Sequence, residues 1–213
     1  PNEAQELAEL VASMEGVYGR GKFCGDGESG EACLDIEEVT EILATDSNPA
    51  HLREVWEGWH TISPPMKQSY VRFVELSNNG ARELGFADTG AMWRSKYDMA
   101  PEAFSAELDR LWEQLRPLYL SLHAYVRARL RARYGDQVPA DGPIPAHLLG
   151  NIWAQDWSNL YELVGPAGGA RAASLTDVLR ARKVGPTDMT KYGERFFTSL
   201  GFEPLPATFW ERS

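Results

Sequence analysis

Apolar residues recur at steps of three and four along most of the chain, which is the period of a helix with one apolar face. No run of alternating apolar and polar residues with turn signals on both sides indicates a strand. We therefore predict an all-α fold, built as an array of several helices. The first helix ends near Gly19, and its apolar stripe consists of Leu7, Leu10, Val11, Met14, Val17 and Tyr18.

Prolines mark the limits of the next two helices, which are predicted over residues 49–61 and 64–85. The step Ser63-Pro64-Pro65 predicts a break between them, because proline lacks an N–H donor and restricts the residue before it.

The longest periodic segment begins at Pro101 and ends at Tyr134-Gly135. Pro117 lies inside it, so we expect a kink near its middle. Four arginines alternate with small or apolar residues in its last turns. We interpret them as cations that complement the helix dipole rather than as an anion-binding patch. They are Arg127, Arg129, Arg131 and Arg133.

The last third of the chain carries two further helical patterns, over residues 145–164 and 187–200. Between them, Ser174 and Asp177 have the spacing of a capping box. Residues 202–213 contain no predicted closing element, so we expect the chain to be cut within a domain.

The composition excludes some partners. Twenty-one basic and thirty-one acidic residues give a formal charge of −10, so a nucleic acid would be repelled. Apolar residues make up 43% of the chain, enough for a substantial core, yet no apolar run reaches about 18 residues, the length of a membrane span. The first residues form neither a signal region nor an initiator methionine start, so we expect a processed, trimmed or internal start.

Two cysteines, Cys24 and Cys33, flank the loop CGDGESGEAC, whose glycines allow the chain to turn back. A local disulfide is one interpretation, and half of a zinc site is the other. The zinc site would need further Cys or His residues nearby, and the sequence has none there. We favour the disulfide, which implies an oxidising compartment such as the periplasm or the extracellular space.

Residue types alone do not identify an enzyme. No two histidines are one helical turn apart, and no nucleophile elbow, phosphate-binding glycine loop or dinucleotide fingerprint is present. The histidines are His51, His60, His123 and His147.

The segment GNIWAQDWSNLY is unusually rich in aromatic and amide groups. On the predicted helix, Trp153 and Trp157 are one turn apart and would pack side by side in the core. Gln155 and Asn159 would share the neighbouring face. Amide donors suit a carboxylate ligand, because they bind the anion without burying a second charge.

Four stretches resemble the angiotensin-converting-enzyme family of zinc peptidases in order and spacing. They are WRSKYD, LRPLYLSLHAYVRARLRARYG, GPIPAHLLGNIWAQDWSNLYELV and FFTSLGFEPLPATFW. The resemblance covers essentially the whole chain and is closest over residues 93–164. It implies part of a two-lobed peptidase with a deep cleft, and it includes a counterpart of the short disulfide loop. The shortened loops favour a bacterial-type member.

The resemblance assigns substrate-binding roles to three residues. Gln155 stands where the family's glutamine binds the C-terminal carboxylate of the substrate. The carboxypeptidase branch has an arginine there, so glutamine favours dipeptide release. Asp156 replaces a small hydroxyl residue and adds a negative charge that would shift substrate preference. Glu37 resembles the acidic residue that faces the primed-side subsites, and an exposed glutamate at a helix terminus is the alternative.

The resemblance also implies a chloride site. Tyr97 in WRSKYD resembles the tyrosine that donates to one activating chloride ion, and a phenol packed in the core is the alternative. The family's second chloride site uses an arginine after Trp-Glu-Gly-Trp, where this sequence has His60.

The family's zinc motif and oxyanion donors follow the point where this sequence ends, and its amino-terminal lid helices precede the start. We therefore expect residues 1–213 to be a partial peptidase domain, inactive alone, within a zinc peptidyl-dipeptidase. Its expected partners are oligopeptides with a free C-terminus and the remainder of the peptidase domain. A truncated, non-catalytic peptide-binding module is the alternative, and a helical structural protein without a ligand is a third hypothesis.

Overall fold

The computed structural model describes residues 2–25, 33–166 and 174–212. Most of these residues are helical, and none of them forms a strand beyond an isolated antiparallel bridge between Phe23 and Leu34. The all-α prediction is confirmed. No helix in these ranges combines the length and the apolar content that crossing a bilayer requires.

The chain divides into two compact units, Pro1–Gly165 and Pro166–Ser213. The described part of the first unit contains α1 (Glu3–Gly19), α2 (Ile36–Thr45), α3 (Pro49–Trp59), α4 (Lys67–Glu83), α5 (Thr89–Arg94), α6 (Pro101–Tyr134) and α7 (Tyr161–Val164). The described part of the second unit contains α8 (Leu175–Ala181), α9 (Pro186–Ser199) and α10 (Ala207–Arg212).

Side-chain caps fix the starts of several helices. Asn2, Asp35 and Asn48 each accept a hydrogen bond from a backbone N–H of the first turn that follows. At α2 the capping box is complete, because Glu38 in turn accepts the N–H of Asp35. Ser174 caps α8, since its Oγ accepts the N–H of Asp177 at 3.1 Å.

The helices predicted from periodicity correspond to α1, α3, α4, α6 and α9. The break before α4 is present as a 3-10 turn over Pro64–Met66. Pro117 lies inside α6, which continues past it, and the kink there stays a prediction. No element was predicted after α9, but the short helix α10 forms there and has no buried residue. That the chain is cut within a domain stays a prediction.

The helix predicted over residues 145–164 is wrong. The segment consists of 3-10 turns over Ala146–Leu148 and Ser158–Leu160 with irregular backbone between them, and α-helix is limited to Tyr161–Val164. Apolar residues recur there at a helix-like spacing because they all face one core, not because the backbone is helical.

Local backbone chemistry explains this difference. Gly150 and Ala154 have φ angles of 79° and 54°, which no α-helix can include. The side chains of Asn151 and Asp156 accept backbone N–H groups that helical carbonyls would otherwise bond. The turn chemistry of these residues therefore overrides the hydrophobic period.

The core of the first unit lies where α2, α3 and the last turns of α6 meet residues 138–164. A hydrogen bond also joins α6 to α7, because the hydroxyl of Tyr125 donates to the carbonyl of Val164 at 2.7 Å. Within α6, burial is confined to its last third. The buried cluster comprises Val39, Leu43, Leu52, Val55, Trp59, Val126, Leu130, Tyr134, Val138, Ile144, Leu148, Leu149, Ile152, Leu160 and Val164.

Two of the four arginines near the end of α6 hold the loop that follows it. Arg127 donates to the carbonyl of Gly142 at 2.8 Å. Arg131 donates both to the carbonyl of Val138 and to the carboxylate of Asp136. These bonds give the arginines a second role beside the one inferred from the helix dipole.

Cys24 and Cys33 form a disulfide, which confirms the first interpretation of this pair. The flanking residues Phe23 and Leu34 exchange backbone hydrogen bonds of 2.8 and 2.7 Å. The intervening residues 26–32 lie outside the described ranges.

In the second unit, α9 and the residues after it form an aromatic cluster. Phe197 makes edge contacts with Phe196 and Phe202, with ring centroids 5.3 and 5.8 Å apart. Glu194 accepts the N–H of Leu205 at 2.9 Å, so the segment after α9 is tied back to that helix.

The ring of Phe23 lies directly on Gly58 in α3, so a Cβ at position 58 would overlap it. We expect Gly58→Ala to lower the free energy of unfolding by about 1–3 kcal/mol, because the ring cannot move without leaving its site. Denaturant unfolding measures this change.

The matched control is Gly80→Ala in α4, where an added Cβ meets no atom within 4 Å. This variant should be neutral or more stable by up to about 1 kcal/mol, since alanine is the better helix former. Equal changes in the two variants would contradict the contact with Phe23.

Candidate functional site

The residues singled out by the sequence centre on an irregular segment of the first unit, residues 149–157, which we call the Gln155 loop. Its core anchor is Ile152, which is 1% exposed. The indole N–H of Trp56 in α3 donates to the carbonyl of Ile152 at 2.9 Å. The loop is therefore fixed to the core through both a side chain and a backbone group.

The side-chain amide of Asn151 occupies the centre of the loop. Its Oδ1 accepts the N–H of Trp153 at 3.0 Å and that of Gln155 at 3.4 Å. Its Nδ2 donates to the carbonyl of Asp156. One side chain thus satisfies backbone groups on both sides of Ala154.

Two residues with positive φ shape the loop. At Gly150 a Cβ would lie 3.1 Å from the Cβ of Asn159, whose Nδ2 donates to the Gly150 carbonyl at 2.9 Å. Ala154 has a φ of 54°, a conformation that costs an L-residue with a side chain about 1–2 kcal/mol. The backbone just before Gln155 is therefore strained and must be held by its surroundings.

Gln155 is exposed, and its side chain has no hydrogen-bond partner among the described residues. The amide that was expected to line one face of a helix instead projects from a loop. Asn159 does not share a face with it, because its own amide is bonded to Gly150. The side-chain amide of Gln155 can still donate to a carboxylate, as predicted, but it is carried by a turn and not by a helix.

The two tryptophans do not form the expected core pair, because the backbone between them is not helical. Trp153 is 54% exposed. Trp157 packs against the core, and its indole N–H donates to the carbonyl of Ala154 at 3.3 Å. Trp157 therefore braces the loop, whereas Trp153 presents its ring at the surface.

A row of rings connects α6 with the Gln155 loop. The ring centroids of Trp112 and Tyr119 are 5.5 Å apart, those of Tyr119 and His123 are 6.0 Å apart, and those of His123 and Trp157 are 6.0 Å apart. Aromatic contacts at these distances are favourable. The row places the loop beside the middle of α6.

Asp156 is exposed, and its carboxylate is bonded within the turn. Its Oδ1 accepts the backbone N–H of Ser158 at 2.8 Å. This backbone bond, together with a bond from the Ser158 side chain, lowers the pKa of the Asp156 carboxyl below its usual value. Asp156 is consequently an anion at neutral pH next to the amide of Gln155.

Glu37 lies exposed in the first turn of α2, where its N–H is bonded to the carboxylate of Asp35. No described hydrogen bond or ion pair joins it to the Gln155 loop. Glu37 thus has the position of the helix-terminal alternative, and its role in substrate binding stays a prediction.

Tyr97 is 51% exposed, so the residues that the structure describes do not bury its phenol. Its ring lies 5.0 Å from that of Phe104, between ring centroids. Tyr97 lines a cavity of about 330 Å³ that also contains Arg94 and Asp98. A cation and a phenol thus border the same depression at the end of α5.

The described residues do not fit a zinc centre. They contain no group of three or more His, Cys, Asp or Glu side chains that could hold a metal ion. Each histidine has another environment: His51 bonds to Asp46, His60 stacks on Trp56, His123 lies in the aromatic row, and burial lowers the pKa of His147. No chemical step is therefore assigned to zinc in these residues.

Sequence reasoning missed Asn151 and Trp56, the two side chains that hold the backbone of the loop. A signal for the first was present, because the side chain of an asparagine such as Asn151 commonly bonds the backbone two residues further on. No sequence signal exists for the second, since the bond between Trp56 and Ile152 joins residues 96 positions apart.

Comparison with known proteins identifies the family of this chain. The Peptidase_M2 family model, described as angiotensin-converting enzyme, matches residues 1–213. The chain is 43% identical to angiotensin-converting enzyme of Sus scrofa over 216 residues, which cover all of this chain and 16% of that protein. It is 43% identical to that of Bos taurus, over 98% of this chain and 16% of that protein.

An insect protein gives a more distant match. Angiotensin-converting enzyme of Haematobia irritans exigua is 33% identical, over 98% of this chain and 34% of that protein. The chain therefore spans about a third or less of the length of these relatives. Because the family model matches from the first residue to the last, this chain belongs to the angiotensin-converting-enzyme family of peptidases.

Proposed function

We propose that this chain is the segment of a zinc metallopeptidase that binds the C-terminal carboxylate of oligopeptides from which the whole protein releases dipeptides. The observation that carries the proposal is the side-chain amide of Gln155, which is exposed and has no hydrogen-bond partner within residues 2–25, 33–166 and 174–212, on a loop whose backbone is fixed. An amide donor held in place suits an anion that must be recognised without a second buried charge.

Family membership supports peptides as the substrate class. A glutamine rather than an arginine at position 155 favours release of two residues. Because the glutamine side chain is shorter, the distance from the cleaved bond to the group that binds the substrate carboxylate is longer, and two residues fit in it. In this proposal Glu37 meets basic side chains of the departing dipeptide. Zinc and the donors that stabilise the oxyanion belong to parts of the whole protein outside this chain.

Chloride is a candidate ligand at Tyr97. A phenol O–H donates to an anion, and the guanidinium of Arg94 lines the same cavity. The neighbouring carboxylate of Asp98 would oppose a halide there, so the site requires a further cation from elsewhere in the protein.

The exposed apolar face of α6 supports a composite domain. Large apolar side chains form a stripe along the first two thirds of this helix, where no described residue covers them. A stripe of this length is unusual on a solvent-exposed surface. We propose that the remainder of the peptidase domain packs on Leu108, Leu111, Trp112, Leu115, Leu118, Tyr119 and Leu122.

The disulfide between Cys24 and Cys33 supports a location in an oxidising compartment. The periplasm and the extracellular space both meet this condition.

Replacing Gln155 by alanine should weaken binding of substrates with a free C-terminal carboxylate. In the natural full-length polypeptide we expect Gln155→Ala to raise KM for such a peptide on the order of tenfold, because a hydrogen bond to a charged group is lost. Steady-state kinetics with a tripeptide and its C-terminal amide measure the difference, and KM for the amide should not change. Gln68→Ala, at an exposed glutamine of α4, is the control. An equal loss for both peptides would remove the assigned role.

Replacing Asp156 by asparagine should improve binding of the same free acid. The amide keeps an acceptor for the N–H of Ser158 but removes the negative charge beside Gln155. We expect KM for the free acid to fall about two- to fivefold at low ionic strength, with the amidated peptide unchanged.

The effect has a defined pH dependence. Because the pKa of Asp156 is lowered, the wild-type charge is present at neutral pH and is lost only as the pH falls through that lowered value. The advantage of the variant should therefore persist down to mildly acidic pH. A variant that binds the free acid no better than the wild type at pH 7 would contradict the role of Asp156.

A further inference from the structure

We infer that Asn151 is a positioning residue for carboxylate recognition: its side-chain amide sets the direction in which Gln155 leaves the core. The inference rests on the proposed function of Gln155 and assigns a role to a residue that does not itself contact the substrate.

The hydrogen bonds of the Asn151 side chain hold the backbone on both sides of the Gln155 side chain. Its Oδ1 accepts the N–H of Trp153 and the N–H of Gln155, and its Nδ2 donates to the carbonyl of Asp156. Both polar atoms of the amide are used, so the side chain has one orientation. The Asn151 amide therefore fixes the backbone from Trp153 to Asp156, from which the Gln155 side chain projects.

Asn151 can act as a fixed frame because its own backbone is anchored on both sides. The carbonyl of Gly150 accepts a hydrogen bond from Asn159 at 2.9 Å. The next residue, Ile152, is buried, and its carbonyl accepts the indole N–H of Trp56. Because its backbone is anchored to the core, the Asn151 amide holds the loop at a fixed position relative to the core.

The strained conformation at Ala154 requires such a frame. A residue with a φ of 54° turns the chain away from the helical path that residues 148–160 would otherwise follow. The bonds to Trp153 and Gln155 lie on either side of Ala154, and the Trp157 indole holds its carbonyl. Without Asn151, Ala154 can relax to negative φ, and Gln155 then points elsewhere.

A change of direction at Gln155 affects binding rather than chemistry. Its amide contacts the substrate terminus, away from the bond that is cleaved, so misplacement should raise KM and leave kcat nearly unchanged. It should affect only substrates that present a carboxylate. A merely structural role would lower the folded fraction and affect all substrates equally.

The test uses the natural full-length polypeptide with a tripeptide and its C-terminal amide as probes. We expect Asn151→Ala to raise KM for the free acid about tenfold, with kcat and the constants for the amide unchanged. In the Gln155→Ala background, Asn151→Ala should add no further loss, because its effect passes through Gln155.

Asn78→Ala is the matched control. Oδ1 of Asn78 accepts the N–H of Thr89 at 3.0 Å, so this variant also removes an amide that holds a turn. It should lower thermal stability without changing the ratio of KM values for the two peptides.

Asn151→Ser keeps an uncharged oxygen acceptor for a following N–H group and removes the amide donor to the carbonyl of Asp156, without adding a charge beside Gln155. If the alanine variant fails to fold, this variant carries the test, and we expect a smaller rise of KM in the same direction. If Gln155→Ala does not separate the two peptides, the proposed function fails. If Gln155→Ala separates them but both Asn151 variants behave like Asn78→Ala, the positioning role is overturned.

Discussion

The hydrogen bond from the indole of Trp56 to the carbonyl of Ile152 connects the helical scaffold with the loop that carries the candidate site. It satisfies a backbone carbonyl whose residue is buried, and leaving such a group without a partner is costly. The bond also fixes where the backbone leaves the core. The direction of Gln155, the brace from Trp157 and the frame made by Asn151 all depend on that position.

The sequence predicts the scaffold much better than the loop. The spacing of apolar residues and the positions of proline and glycine identify α1, α3, α4, α6 and α9. Each of these helices has one apolar face and a proline or glycine near one of its ends. The same reasoning fails at residues 145–164, where Leu148, Ile152 and Leu160 face one core from irregular backbone. The spacing of apolar residues indicates which side chains are buried, but it does not determine the backbone conformation between them.

The candidate residues show the same division. Gln155 could be named from the sequence because a family pattern surrounds it, and the composition of the loop indicated anion recognition. Its support could not be named, because Asn151 acts through three backbone groups and Trp56 comes from a distant part of the chain. Asp156 combines both cases: its charge is visible in the sequence, whereas the bonds that lower its pKa depend on the turn.

The loop after α6 has a property that follows from the kind of acceptor its arginines use. Arg127 and Arg131 each donate to a carbonyl oxygen, which carries no net charge, and Arg131 donates in addition to the carboxylate of Asp136. Dissolved ions screen the attraction between two full charges, such as the exposed pair of Arg53 and Glu57, more than they weaken a hydrogen bond to a neutral group. Added salt should therefore weaken the pair of Arg53 and Glu57 and the pair of Arg131 and Asp136 more than it weakens the bonds of Arg127 and Arg131 to carbonyl oxygens, so the loop after α6 keeps two attachments to the helix at high ionic strength.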